Sequence, residues 1–196
     1  RLMNYKSIIN LLGILLAIFS LAFIPPLIVT FIYEEPLSEI FLYSFLFLIS
    51  LGGLMWFISR QKGLPLNIVD GFIITTMFWV VLACAGSIPF YFFGLSINDA
   101  IFESVSGITT TGATLIVGLD DLPKSLLLYR QLLQWIGGMG LIILAVAVMP
   151  ALGIGGSQLY KMELPGSHGN QKLTPKITDS AKALWKIYFG LTLACA

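Results

Sequence analysis

The chain has 196 residues, of which 57% are hydrophobic and only 11% charged, and its formal net charge is +1. Ordinary soluble domains carry about 25% charged residues, so a water-surrounded globule is excluded and the composition is that of a membrane protein. The near-balanced charge by itself points to no polyanionic partner, and nucleic acid is not expected.

Four apolar runs reach the roughly 20 residues that a spanning helix needs; they cover residues 8–32, 37–58, 66–93 and 126–151. In the first, Pro25 and Pro26 remove two backbone donors and should kink or end the helix near its outer end. A signal peptide would have a shorter core ending in small residues and would not run straight into a second span, so this run is read as a span. The two cysteines, Cys84 and Cys195, sit in apolar runs with no CxxC or His-rich context and are expected to be buried packing residues, not a disulfide. The single histidine, His168, lies in a Gly-rich polar loop without partners for a metal site and reads as a solvated residue.

Cytoplasmic flanks collect Lys and Arg. Arg1 and Lys6 precede the first run, Arg60 and Lys62 follow the second, and Lys161, Lys172, Lys176, Lys182 and Lys186 follow the fourth. Placing these inside leaves only Lys124 and Arg130 outside and puts Glu34, Glu35, Glu39, Asp99, Asp120 and Asp121 on the outer side, so the N-terminus is expected to be cytoplasmic. The third run then travels outward and the fourth inward, so residues 94–122 begin and end outside. Yet residues 100–118 are mostly apolar or small, which is odd for a solvated loop and predicts a segment that dips into the membrane and returns.

Asn98 and Asp99 are good N-cap residues, and residues 100–109 can form about three helical turns, about 15 Å long, which reaches only halfway across the hydrocarbon. The negative end of the helix dipole would then point at the membrane centre and favour a cation. Gly107, the β-branched Thr109, Thr110 and Thr111, and Gly112 stop the helix, so the chain should leave as irregular backbone, which survives at that depth only when it lines a water-filled cavity or is buried in protein. Small residues let the backbone approach an ion, Gly112 permits dihedrals that strain other residues, and threonine hydroxyls add oxygen donors. The competing reading is that TTTG is only a turn between two core helices. Glu103, inside the half-helix, either bonds backbone donors behind the loop or touches the ion. Asp120 and Asp121 either concentrate cations at an outer mouth or form a solvated turn before Pro123.

The arrangement of outward helix, half-helix, TTTGAT loop and inward helix resembles the pore repeat of potassium channels. With RQLLQWIGGMGLIILAVAVMP at residues 130–150, SGITTTGAT and ALGIGGSQLYKMELPG, it resembles the Trk/Ktr/HKT superfamily of potassium transporters, and within it the bacterial Trk-type (TrkH-like) potassium-uptake membrane subunits. The resemblance covers essentially the whole chain. It implies an all-α integral membrane protein: an N-terminal transmembrane hairpin (1–62), then a potassium-channel-like repeat of helix, re-entrant pore loop and helix (63–151, with pore helix and filter at 99–114). A cytoplasmic linker (152–177) and the start of a second, truncated repeat (178–196) would follow. It also implies potassium uptake across the bacterial cytoplasmic membrane, with backbone carbonyls of Thr110, Thr111, Gly112 and Ala113 as filter and Thr109 just below. Glu103, Asp120 and Asp121 would support the pore or its outer mouth. Potassium is the permeant ion, and no cofactor is expected. The expected partners are the lipid bilayer, a second copy in a homodimer, and a cytosolic nucleotide-binding Trk regulatory ring. One departure stands out: a carbonyl cage needs four strands and this chain has one such loop.

In the fourth run Gly137, Gly138 and Gly140 permit close helix packing, and Arg130 shares a face with Gln134, either bracing the outer vestibule or snorkelling. GIGGSQ lacks the context of a dinucleotide motif. No paired carboxylates or nucleophile–base pair is present, so an enzyme is not expected. Two other classes stand beside the pore: an alternating-access carrier with a broken helix, and a non-transporting scaffold.

Overall fold

The computed structural model describes residues 5–59, 68–151 and 173–195. Arg1, Arg60, Lys62, residues 152–172 of the expected linker and His168 within it lie outside the described residues. The elements in order are α1 (Tyr5–Ser20), a 3-10 turn (Leu21–Phe23), α2 (Ile24–Ile32), α3 (Ser38–Ile58), α4 (Ile68–Gly86), α5 (Ile88–Phe93), α6 (Ile97–Ile108), a second 3-10 turn (Leu119–Asp121), α7 (Lys124–Ala151) and α8 (Leu173–Cys195). Among the described residues, three segments are long and apolar enough to cross a membrane: Tyr5–Ile32, Ser38–Ile58 and Ile73–Phe93. The run at 126–151 forms one continuous helix, α7, of 28 residues.

The chain divides into two compact units, Arg1–Trp135 and Ile136–Ala196. The second holds the rest of α7 and α8. That last helix begins at Leu173, five residues before the expected start of the second repeat, with Pro175 in its first turn, where a missing N–H costs nothing.

In the first unit, α1 and α3 form the hairpin. The buried residues of α1 (Ile8, Leu12, Gly13, Leu16, Phe19) recur at three- and four-residue steps, as do Phe41, Ser44, Leu48 and Gly52 of α3, so each helix turns one stripe to its neighbour. The other faces remain apolar and exposed, including Leu46, Phe47, Leu54 and Phe57. Lipid tails are as apolar as these side chains, so such faces have no reason to associate and helix contacts must come from close packing. At Gly13 and Gly52 the two backbones meet. A Cβ on Gly52 would lie 2.6 Å from the Gly13 carbonyl oxygen and 2.8 Å from the Ala17 nitrogen, whereas a Cβ on Gly53 meets nothing within 4 Å. Gly52→Val is therefore expected to destabilise by about 1–3 kcal/mol through overpacking, and Gly53→Val by less than about 0.5 kcal/mol. Loss of monodisperse, detergent-solubilised subunit on heating measures both, and equal thermal midpoints would refute the close crossing.

The prolines act one turn before themselves. Pro25 and Pro26 cannot donate to the carbonyls of Leu21 and Ala22, four residues back, and the helix tightens there into the 3-10 turn, with the Ile24 N–H bonding the Leu21 oxygen instead. The third run breaks in the same way: Pro89 opens α5, and the helix is interrupted at Ser87, which the sequence reading took as one unbroken span. Gly94, at φ +119°, then ends α5.

Tyr129 on α7 is fully buried and joins the hairpin to the rest of the unit. Its ring lies 5.5 Å from Phe23, 5.7 Å from Phe41 and 5.3 Å from Phe90, and its hydroxyl donates to the Gly86 carbonyl at 2.8 Å, at the α4 break. A buried tyrosine needs such a partner for its O–H. Cys84 and Cys195 are free but exposed, which corrects the expectation of burial. An apolar run in a membrane chain faces lipid as readily as core, so apolar neighbours carry no information about burial there.

Candidate functional site

Helix α6 is the expected half-span, 12 residues long and about 18 Å at 1.5 Å per residue. Its cap differs from the expected Asn98 or Asp99. Ser96 is the N-cap: the Asp99 N–H donates to the Ser96 hydroxyl oxygen at 3.2 Å, and that hydroxyl donates to the Asp99 carboxylate at 2.8 Å. The spacing is that of a capping box, but the Asp99 carboxylate returns to the Ser96 hydroxyl, and Asn98 and Asp99 lie inside the first turn, where the acidic residue complements the dipole.

The helix is wedged between α4 and α7 without spare room. The Ser104 hydroxyl donates to the Ala83 carbonyl at 2.7 Å. A Cβ on Gly86 would sit 2.4 Å from Ser104 Oγ, and one on Gly107 would sit 3.0 Å from the Leu133 Cβ.

At its C-terminal end α6 stops in a Schellman motif. The Thr110 N–H donates to the Gly107 carbonyl and the Thr111 N–H to the Ser106 carbonyl, both at 3.0 Å, while Thr110 takes the left-handed position at φ +58°. Glycine is the usual occupant of that position. A β-branched residue there costs about 1–2 kcal/mol, strain of the kind that collects at functional backbone. Gly112 is left-handed as well, at φ +74°, and Thr111 between them is not. Such alternation rotates successive peptide planes alike, which lets carbonyl oxygens gather on one side.

Thr109, Thr110, Thr111, Gly112 and Ala113 are all exposed. No described residue donates to the carbonyl oxygens of the first four. The Thr109 hydroxyl donates to the Val105 carbonyl at 2.8 Å, so the hydroxyl of Thr111, 2.8 Å away, donates to Thr109. Ala113 differs: its carbonyl accepts the buried Ser106 hydroxyl at 2.6 Å. The loop's donor set is oxygen alone, the set that hard, redox-inert cations take.

Behind the returning strand lies the Glu103 carboxylate, with its side chain 1% exposed. Oε1 accepts the Thr114 hydroxyl at 2.6 Å and the Leu115 N–H at 2.7 Å, and Oε2 accepts Arg130 Nε of α7 at 3.1 Å. Glu103 thus faces the strand beyond the candidate oxygens, and its buried charge is both paired and hydrogen-bonded. Arg130 turns into the protein, away from any snorkelling position. Asp120 and Asp121 sit apart on the second 3-10 turn, exposed, with no hydrogen bond or ion pair to residues 109–113.

One capping interaction was absent from the sequence reading. At the end of α2, Glu34 is left-handed at φ +53° and the Glu35 N–H returns to the Thr30 carbonyl at 2.9 Å. This second Schellman motif aims the Glu35 carboxylate at the first turn of α7. Its Oε1 accepts the Lys124 N–H at 2.5 Å, and Oε2 accepts the N–H (3.1 Å) and hydroxyl of Ser125. The loop between α2 and α3 therefore caps the helix that carries Arg130, with an anion at the positive end of its dipole.

Membrane-length helices, and a capped half-helix returning as irregular backbone between α5 and α7, define an all-α integral membrane protein with a helix, re-entrant loop, helix repeat behind an N-terminal hairpin. Residues 37–196 match the TrkH cation transport proteins, and the chain belongs to that family. The Trk system potassium uptake protein TrkH of Vibrio parahaemolyticus is 50% identical over 197 residues, covering 99% of this chain and 41% of the relative. Its counterpart in Escherichia coli K12 is 46% identical with the same coverage, and the E. coli Trk system potassium uptake protein TrkG is 41% identical over 98% of this chain and 40% of its own length. The crystal structure of the potassium transporter TrkH from V. parahaemolyticus superposes with a TM-score of 0.83 at 46% identity, covering 98% of this chain and 38% of that one. The chain thus spans about 41% of the length of the curated relatives it matches.

Proposed function

We propose that this chain is the N-terminal part of a Trk-type potassium-uptake subunit and supplies one strand of its selectivity filter, residues 109–113. The observation that carries the reading is the backbone leaving α6. Four successive carbonyl oxygens, from Thr109, Thr110, Thr111 and Gly112, accept from no described residue and stand at the negative end of a helix, in a chain of the TrkH family. Relatives 46–50% identical are named as potassium uptake proteins, which favours potassium as the ion. Glu103 and Arg130 hold the strand from behind, and Asp120 and Asp121 concentrate cations at the outer mouth. The N-terminus is cytoplasmic, and passage is passive, with no cofactor and no chemical step. The complete subunit works as a homodimer in the bacterial cytoplasmic membrane with a cytosolic nucleotide-binding regulatory ring, and its other filter strands come from beyond this chain.

Flux through the complete subunit in proteoliposomes tests the reading. A potassium gradient should drive uptake that an equal sodium gradient does not, without a co-transported substrate. Flux that stops unless a second solute moves in fixed ratio would instead make the loop the binding segment of an alternating-access carrier.

A further inference from the structure

Among the described residues no donor reaches a carbonyl from Thr109 to Gly112, whereas one reaches the next carbonyl along the strand. The Ala113 oxygen receives the Ser106 hydroxyl at 2.6 Å, a hydrogen bond at the short end of the usual O–H···O range. Ser106 is only 5% exposed and belongs to the last turn of α6, so the bond turns the Ala113 carbonyl toward the helix. The same residue holds the strand twice more through its backbone: its carbonyl accepts the Thr111 N–H at 3.0 Å and the Gly112 N–H at 3.4 Å. Ser106 therefore fastens Thr111, Gly112 and Ala113 to one buried point. From the next residue on, Glu103 takes over, at Thr114 and Leu115.

We infer that Ser106 is a positioning residue for ion selectivity: it ends the carbonyl column at Gly112 by turning the Ala113 oxygen away, and it fixes the spacing of the oxygens below. This rests on the filter reading above. The physical need is for rigidity and count. A sodium ion is smaller than potassium, and a carbonyl cage discriminates against it only if the oxygens resist closing in or keep a set number around the ion. Both conditions fail if the strand loosens at Ala113, because a freed fifth carbonyl can swing to the ion and the four below it can follow. A serine hydroxyl inside a helix ordinarily bonds the carbonyl three or four residues back, as Ser20 and Ser44 do here. Ser106 reaches forward seven residues across the reversal of the chain, which makes it part of the strand's architecture.

The test uses the complete subunit in proteoliposomes. Ser106→Ala removes the hydroxyl at almost constant volume and leaves the backbone bonds. The potassium-to-sodium permeability ratio is expected to fall roughly tenfold, the factor that one net hydrogen bond is worth, with potassium flux retained and the thermal midpoint close to that of the parent. Ser106→Thr keeps the hydroxyl and should restore most of the ratio, a rescue that a purely structural role would not require. In crystals soaked with rubidium, ion density should lie beside residues 109–112 and be missing beside the Ala113 oxygen. A Ser106→Ala ratio within about twofold of the parent, or rubidium held by the Ala113 carbonyl, overturns the inference while the filter stands, provided Gly112→Asp abolishes selectivity. If Gly112→Asp leaves selectivity intact, the filter assignment falls and this inference falls with it.

Discussion

Replacing Gly112 with aspartate in the complete subunit is expected to abolish potassium-selective flux while the protein still folds and assembles. Two magnitudes separate these outcomes. The backbone cost is set by φ +74°, a left-handed conformation that disfavours a side chain by about 1–2 kcal/mol, and less for aspartate, which visits that region more readily than most. A Cβ at Gly112 meets nothing within 4 Å, so no steric penalty is added. That strain is small against the 5–15 kcal/mol, roughly, by which folded domains are stable. The ionic effect is larger. A carboxylate about 4 Å from a cation attracts it by about 4 kcal/mol at an effective dielectric near 20. Conduction requires that leaving be nearly as easy as entering, so holding the ion back by that amount slows exit on the order of a thousandfold. Gly112→Ala provides the control, with a similar backbone cost and no charge, and should keep measurable potassium flux. Uptake of potassium against sodium in proteoliposomes reads the first effect, and recovery of monodisperse protein reads the second. Wild-type selectivity in the aspartate variant would remove residues 109–113 from the conduction path.

How legible these features were in the sequence follows from how local their causes are. The spans came from runs of about 20 apolar residues, a property of each segment alone. The half-helix came from a polar start, a short apolar stretch and a Thr/Gly stop, and α6 occupies that place. Its cap was missed although Ser96 and Asp99 have the spacing of a capping box, because Asn98 and Asp99 are themselves good caps and local chemistry alone does not rank them. The breaks at residues 21–23 and at Ser87 were signalled only by the prolines after them, whose effect falls on carbonyls four residues earlier. Glu35 was illegible as a cap. It reaches Lys124 and Ser125 across 89 and 90 residues, and the packing of Tyr129 against Phe23 and Phe41 helps bring the hairpin to α7. Ser106 left no signal either, since its bond depends on the chain reversing at a left-handed Thr110, a conformation that a β-branched residue disfavours.

Truncating Arg130 should be among the most destabilising single changes in the first unit. Arg130→Met leaves the Glu103 carboxylate, 1% exposed, without its only ionic partner among the described residues, and unpairing a buried charge costs about 3–5 kcal/mol. The penalty is a property of the charge left behind, not the net worth of the bridge, which predicts how the pair behaves together. Glu103→Gln with Arg130→Met removes both charges, and the amide oxygen can still accept from Thr114 and Leu115 as Oε1 does now. The double variant is therefore expected to regain most of the lost stability, giving a coupling of about 2–3 kcal/mol in a double-mutant cycle. Selectivity should follow the same order. Arg130→Met frees Glu103 to move and loosens the strand beyond Gly112, so the potassium-to-sodium ratio falls with stability. The double variant keeps the two bonds from the strand and should recover the ratio as well. Glu103→Ala loses both bonds and strands the buried guanidinium, so it should be poor in stability and in selectivity. Thermal midpoints in detergent and flux ratios in proteoliposomes decide the matter. A double variant no more stable than Arg130→Met would mean that the guanidinium contributes by packing, and the strand would then be held by Glu103 without electrostatic help from α7.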